Sequence, residues 1–213
     1  MMEQLDILIK WTPFLATGFL WNIGITMVAV TIGTTLGGLF AYMKHSSNQV
    51  IHATGSFVPS ILRSAPTLVL MFYLATLLPD NISVDGYIIY IPNWFKAALA
   101  MTASQIGFNS LNIYAFIKQW RDGDVQAALM IIPNWLGAFL ITLLSSSGAS
   151  LVGVSELVSR VNTVIKTEGA DYTIALYLYA ISFFLVSGWL FTTLIKAATS
   201  KLSAQYPVAS AEV

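Results

Sequence analysis

Four long stretches of this chain contain no Asp, Glu, Lys or Arg. They cover residues 11–43, 97–117, 125–155 and 172–195. A helix needs about 20 mostly apolar residues to cross the hydrocarbon of a bilayer, and each stretch is long enough. A helix on the surface of a soluble core would show a polar face at every turn, which these stretches lack. The chain is therefore predicted to be an all-α polytopic membrane protein, which agrees with its 9% charged and 56% hydrophobic residues.

The pattern predicts about five transmembrane helices in a single membrane domain. The second helix carries Arg63 and is expected to kink at Pro66, whereas residues 80–92 are expected to form a loop between two prolines. Three regions are predicted. They are an N-terminal interfacial segment at 1–20, a transmembrane domain at 21–198 and a polar C-terminal tail at 199–213. The predicted spans are 21–43, 55–79, 94–117, 125–148 and 172–195.

The lysines and arginines between the spans predict the orientation. With the N-terminus outside, the inner segments hold Lys44, Lys118, Arg121, Lys196 and Lys201. Cytoplasmic loops of membrane proteins carry an excess of Lys and Arg. The modest excess here favours an outer N-terminus and an inner C-terminus.

Small residues recur every four positions along the first predicted span. They are Ala29, Gly33, Gly37 and Ala41. Small residues at this spacing let two helices approach closely within a membrane. We interpret them as helix-packing positions.

A conventional enzyme site is hard to build from this sequence. The chain has no cysteine, and its two histidines, His45 and His52, lie at a predicted turn with no carboxylate near them in sequence. Neither a zinc-protease spacing, nor a nucleophile elbow, nor a glycine-rich phosphate loop occurs. We therefore predict no catalytic residue, no metal site and no cofactor. The net charge of zero implies no nucleic-acid partner.

A few polar residues at membrane depth are candidates for a solute path. Arg63 is a functional candidate because a charge within a span is costly, although it could also snorkel to the inner headgroups. Pro66 interrupts the same helix, as prolines do in helices that line transport paths. Asn109 and Ser110 could contact either a solute or a neighbouring helix. Ser145, Ser146 and Ser147 form the largest polar cluster and mark either a helix break or a loop end.

Three segments carry a resemblance to a known family. Residues 21–26, followed by Gly33 and Gly37, resemble the opening helix of the permease subunits of bacterial ABC importers for polar amino acids. Residues 57–79 are similar to that family's Arg-Gly-Thr-Pro helix, with Arg63 and Pro66 in register. Residues 141–157 resemble the segment that ends in Gly-Val-x-Glu-Leu, here residues 153–157.

The resemblance implies a five-helix ABC importer permease-like core in the bacterial inner membrane. It implies a dimer with a second permease subunit, two ABC ATPase subunits below and a periplasmic binding protein above. The implied function is transport of an amino acid or similar small polar solute, with ATP hydrolysed by the separate ATPase. The path would be lined by the second, third and fourth spans. In that case, Arg63→Ala and Ser146→Leu are expected to impair uptake while the protein still inserts.

The segment expected to contact the ATPase departs from the family pattern. Members of the family carry a longer cytoplasmic Glu-Ala-Ala loop, whose short helix docks in a groove of the ATPase. Here residues 118–124 alone separate two apolar stretches. The candidates for ATPase coupling are Arg121, Asp122, Asp124, Gln126, Ala127 and Ala128. The favoured interpretation of residues 125–133 is the first turns of the fourth span.

The short segment supports a second hypothesis. The chain would then be a coupling-deficient permease homologue that serves as a structural or regulatory subunit of a membrane complex. It would pair with an intact permease or with an unrelated membrane protein.

Overall fold

The structure is a computed structural model that describes residues 2–205. It consists of helices joined by short turns, with one small two-stranded sheet. The α-helices are α1 (Met2–Met43), α2 (Gln49–Ser64), α3 (Thr67–Leu77), α4 (Asn93–Arg121), α5 (Val125–Leu129), α6 (Ile131–Ser145), α7 (Leu157–Glu168) and α8 (Thr173–Gln205). The strands are β1 (Asn81–Val84) and β2 (Tyr87–Tyr90), and 3₁₀ segments lie at Ser146–Val152 and Ala170–Tyr172.

The helix α1 is longer than the first predicted span. It runs for 42 residues without a break, through Pro13 and through the predicted boundary between residues 20 and 21. Its first half packs with α7 and α8, where Phe19 contacts the rings of Phe183 and Phe184. Pro13 and the glycines of this stretch do not end the helix, because buried side chains pack against neighbouring helices along its length. The interfacial location of residues 1–20 stays a prediction.

The second predicted span is broken rather than kinked. The axes of α2 and α3 are bent by 91° at residues 65 and 66. Ala65 has extended backbone angles of φ −74° and ψ 127°. A proline disfavours the helical conformation of the residue before it, so Pro66 ends α2 at Ser64 and starts α3 in a new direction.

The expected loop at residues 80–92 is instead a β-hairpin. Strand β1 pairs antiparallel with β2 around the turn at Asp85 and Gly86. Both turn residues have positive φ, 49° and 82°. An Asp-Gly pair with positive φ at both positions is a favoured two-residue hairpin turn.

The fourth span is continuous from the short charged turn to beyond the serine cluster. Residues Val125–Val152 form one long apolar helical segment, made of α5, α6 and the 3₁₀ segment. The predicted helix end at residues 145–148 is therefore wrong, because the chain tightens into 3₁₀ geometry and continues to Val152. It ends at Gly153, whose φ of 85° suits a residue without a Cβ.

The predicted polar tail at 199–213 is helical in part. Helix α8 extends to Gln205, so residues 199–205 are helical, and residues 206–213 lie outside the described part.

The fold is that of an all-α polytopic membrane protein. Among the described helices, three segments are long and apolar enough to cross a membrane, and the bent pair α2–α3 would be a fourth. Helix α4 has 29 residues but more polar side chains, and it occupies the place of the predicted third span. Two clusters of buried side chains hold the bundle together, one between α1, α6, α7 and α8, the other between α1, α3, α4 and the 3₁₀ segment.

Candidate functional site

A polar-lined groove lies where the broken span meets α4 and α6. Its cavity has a volume of about 180 Å³. The polar side chains that line it come from α2, α3, α4 and α6, and we call them the polar groove residues: Arg63, Thr67, Ser104, Gln105, Thr142 and Ser145. No Asp or Glu lines this groove, so Arg63 provides its formal charge.

Close packing of α2 on α4 holds Arg63 at the groove. A Cβ built on Gly107 would lie 2.5 Å from the Arg63 Cβ and 2.6 Å from the Pro59 carbonyl oxygen. The glycine thus allows a backbone approach that a larger residue would prevent. The guanidinium itself is exposed and has no hydrogen bond or ion pair with the residues that the structure describes.

A second cavity continues on the far side of Arg63. It has a volume of about 130 Å³ and is lined by Lys44, Ser56, Ser60 and Arg63, among others. Burial, and then the charge of Arg63, lower the pKa of the Lys44 ammonium. Since two cations meet here without a lining carboxylate, this region favours an anionic group.

A chain of buried amides supports one wall of the groove. The Gln105 side chain donates through Nε2 to Thr142 Oγ1, and also to the Ala138 carbonyl oxygen at 3.3 Å. Asn109, one turn further along α4, donates to Gln105 Oε1 at 3.2 Å. These bonds join α4 to α6 and fix the Gln105 side chain. Asn109 therefore acts on the groove through Gln105 rather than by lining it.

The other predicted path residues lie elsewhere. Pro66 is located at the break between α2 and α3. Ser110 is fully buried, and its hydroxyl has no hydrogen-bond partner among the described residues. Ser147 lines an apolar groove between α6 and α8. Of the seven predicted path residues, Arg63 and Ser145 line the polar groove.

Ser146 belongs to a buried cluster that joins three elements. Asn22 of α1 donates through Nδ2 to Ser146 Oγ at 2.9 Å and to Glu156 Oε2 at 2.8 Å. The Glu156 carboxylate also accepts from the backbone N–H groups of Val158 and Ser159, which caps α7. The three side chains are fully buried. A leucine at position 146 would therefore disturb packing directly, without reference to a solute.

Sequence reasoning missed four of the groove residues: Thr67, Ser104, Gln105 and Thr142. The available signal was the spacing of Gln105 and Asn109, which places two amides on one face of α4. These four residues carry no charge and are spread over three helices, so neither a charge nor a serine cluster marks them in the sequence.

The residues predicted to contact an ATPase lie at the end of α4 and in the short helix α5. The Asp124 carboxylate accepts from the Ala127 backbone N–H at 3.0 Å and caps α5. Ala128 is fully buried, whereas Arg121, Asp122 and Gln126 lie at or near the surface. The segment between α4 and α6 is one tight turn followed by the 5 residues of α5.

The small residues of α1 face α4. A Cβ built on Gly33 would collide with Gln105, and one on Gly37 would lie 2.9 Å from Asn109 Cβ. Ala29 and Ala41 are fully buried. The line of small residues thus brings the α1 backbone close to the two amides that support the groove.

Comparison with solved structures finds a protein of similar fold. No protein-family model and no curated protein sequence matches this chain. The structure is similar to a chain in the crystal structure of an amino acid ABC transporter with histidines, with a TM-score of 0.76 over 91% of this chain and 96% of that chain. The two sequences are 21% identical, so the likeness concerns the fold. This all-α polytopic membrane protein therefore has the fold of a chain of that ABC transporter.

Proposed function

We propose that the chain is the membrane-spanning permease subunit of an ABC-type importer in the bacterial inner membrane. It moves an amino acid or a similar small polar solute, and a separate ATPase subunit hydrolyses ATP. A second permease subunit and a periplasmic binding protein complete the assembly. The similar transporter, with histidines in its crystal structure, supports an amino acid as the first solute to test.

The polar groove is the observation that carries this proposal. A solute that crosses a membrane needs polar contacts where the surroundings are apolar, and broken helices supply such contacts in many transporters. Here the break at Pro66 lies beside Arg63 and Thr67, which line the groove. An unpaired guanidinium beside hydroxyl and amide groups suits a solute that bears a carboxylate.

The hypothesis of a coupling-deficient homologue keeps one observation in its favour. The exposed segment between α4 and α6 is short, and α5 has 5 residues. A helix that docks in a groove needs an amphipathic face long enough to anchor it. In this second proposal the chain stabilises or regulates a complex, while a partner permease contacts the ATPase.

Uptake by cells that carry variants of this chain tests the role of the groove. The Arg63→Gln variant loses the charge and with it a charge-assisted hydrogen bond to the solute. The loss weakens the binding free energy by about 1.5 kcal/mol or more. We expect the half-saturation concentration for uptake of a radiolabelled amino acid to rise roughly tenfold. The matched control is Lys166→Gln, an exposed cation on α7 away from the groove, which should leave uptake unchanged. Equal uptake by Arg63→Gln and wild type would remove Arg63 from the path.

Purification from the native membrane in mild detergent separates the two proposals. A stoichiometric ABC ATPase, bound without any permease other than copies of this chain, supports a transport role with direct coupling. A different permease with a full coupling loop supports the second proposal, in which that partner contacts the ATPase. Recovery of a different membrane partner without an ATPase contradicts both transport arrangements.

A further inference from the structure

The β-hairpin of β1 and β2 presents side chains that nothing in the described protein covers. All eight strand residues are exposed. The register pairs Ile82 with Ile89 and Val84 with Tyr87. Since side chains alternate between the two faces of a strand, these four residues share one face. We call this set the hairpin face.

The hairpin face is apolar and exposed. Its residues are exposed by 38% at Ile82, 49% at Val84, 78% at Tyr87 and 54% at Ile89. The opposite face carries the polar Asn81 and Ser83 beside Ile88 and Tyr90. A contiguous apolar patch of this kind marks an interaction surface.

The base of the hairpin is fixed to the ends of two membrane helices. The Ile91 backbone N–H donates to the Asp80 carbonyl oxygen at 2.8 Å. The fully buried Lys96 donates through Nζ to the Leu78 carbonyl oxygen at 2.7 Å and to Asp80 Oδ1 at 2.8 Å. Leu78 follows α3 and Lys96 lies in the first turn of α4. The hairpin is thereby held at the end of the helices, where the chain leaves the membrane.

Aromatic residues surround this position. Tyr90 of the hairpin lines a cavity together with Trp21 and Trp94. The two indole rings lie 6.1 Å apart. Tryptophan and tyrosine concentrate where the bilayer meets water, because their rings are apolar and their N–H or O–H groups are polar. This cluster indicates the level of the lipid headgroups at this end of the protein.

We propose that the hairpin face binds the lipid bilayer at the boundary between headgroups and hydrocarbon. The four residues of the face carry no charge, and the aromatic cluster at the base of the hairpin places it at the level of the lipid headgroups. A two-stranded hairpin is marginally stable alone in water, and transfer of its apolar face into lipid stabilises it. The tyrosine hydroxyl of Tyr87 remains able to bond to headgroups or water. The hairpin is thus a membrane anchor of the loop between α3 and α4.

Site-specific labelling tests this proposal, because the chain has no native cysteine. The environment-sensitive NBD fluorophore is attached to Val84→Cys on the hairpin face, and separately to the control Ser83→Cys on the opposite face. Both positions are exposed and both variants should fold. The full chain is reconstituted in vesicles of phosphatidylethanolamine and phosphatidylglycerol, with nitroxide-labelled lipid or aqueous iodide as quencher.

We expect the label at position 84 to be quenched several-fold more strongly by nitroxide lipid than the label at position 83. Iodide should show the opposite order. Strong iodide quenching at both positions would mean that the hairpin stands in water and would overturn the proposal. So would protection of position 84 from both quenchers, which would indicate coverage by protein, either a second copy or another subunit. Equal lipid quenching on both faces would also contradict insertion through this face.

Discussion

At the scale of single residues, the contact between α1 and α4 depends on positions without a side chain. A Cβ added at Gly33 would overlap the Gln105 Cβ and lie 3.2 Å from the Gln105 carbonyl carbon. The backbone of α4 cannot move aside as a flexible side chain could. We therefore expect Gly33→Ala to lower the free energy of unfolding by about 1–3 kcal/mol, the usual cost of overpacking. The measurement is the thermal unfolding midpoint of the purified protein in detergent.

The matched control for this prediction lies in the same helix. A Cβ added at Gly24 meets nothing within 4 Å. Gly24→Ala should therefore keep or raise the unfolding midpoint, because alanine favours the helix by about 1 kcal/mol over glycine. Equal midpoints for the two variants would show that the small residues of α1 do not set the distance to α4.

The role of each path residue stays a prediction, but the structure shows which of these residues line the groove. A charged residue within a span stands out, and Arg63 lines the groove. Hydroxyl groups are less specific, because a serine in a helix bonds its own backbone as readily as a ligand. Ser145 and Ser147 both donate to carbonyl oxygens of the preceding turn, yet only Ser145 lines the polar groove. Their neighbour Ser146 belongs to the Asn22 cluster, which pairs residues 124 positions apart.

At the scale of elements, the break between α2 and α3 controls the shape of the groove. Unlike proline, alanine leaves the residue before it free to adopt the helical conformation. The Pro66→Ala variant therefore allows α2 and α3 to join into one helix. We expect the joined helix to straighten and uptake to fall, while the protein still inserts. Spin labels at Val50→Cys and Leu77→Cys, both exposed positions, measure the angle. A right-angled bend gives a separation of about 28 Å between these positions, and a straight helix about 40 Å.

The control for this measurement is Pro59→Ala within α2. Pro59 lies inside the helix without a break of this size, so its replacement should leave the distance near that of the bent form. If Pro66→Ala also keeps the short distance, the bend is imposed by packing against α4 rather than by the proline.

The long apolar helices could be located from the sequence. The short elements whose form depends on local turn residues, the hairpin and the 3₁₀ segment, were harder to predict. Long charge-free stretches led to α1, α4, the 125–152 segment and α8. The hairpin was missed because β1 and β2 have four residues each, too few for a clear alternation, although Asp85-Gly86 is a strong turn signal. The 3₁₀ continuation after Ser145 was missed because serine and glycine favour a helix end in isolation. Here tertiary contacts override that preference, since Ser146 bonds to Asn22 and Ala149 is fully buried.

At the scale of the whole molecule, the packing of α1 on α4 brings several lysines and arginines to one end of the bundle. Helices α1 and α4 run parallel, since Gly33 contacts Gln105 and Gly37 contacts Asn109. Their C-terminal ends are therefore adjacent, and the Lys44 ammonium lies 5.6 Å from the centre of the Tyr114 ring. The turns at 44–48 and 122–124 thus share one end, which also carries Arg121. The hairpin and Trp94 lie at the other end.

This arrangement predicts which end faces the cytoplasm. Because lysine and arginine collect on the inner side, the end with Lys44 and Arg121 should be inner, and the hairpin end outer. Single cysteines at Gly123 and Asp85, both in turns, report the two ends. A membrane-impermeant maleimide should label the Asp85→Cys variant in right-side-out vesicles and the Gly123→Cys variant in inside-out vesicles. The reverse pattern would contradict the orientation and would place the α4–α5 turn where no cytoplasmic ATPase can reach it, so the permease proposal would also fail. Labelling in the expected pattern leaves the short α4–α5 turn and its Asp124-capped helix as the surface on which ATPase coupling has to be sought.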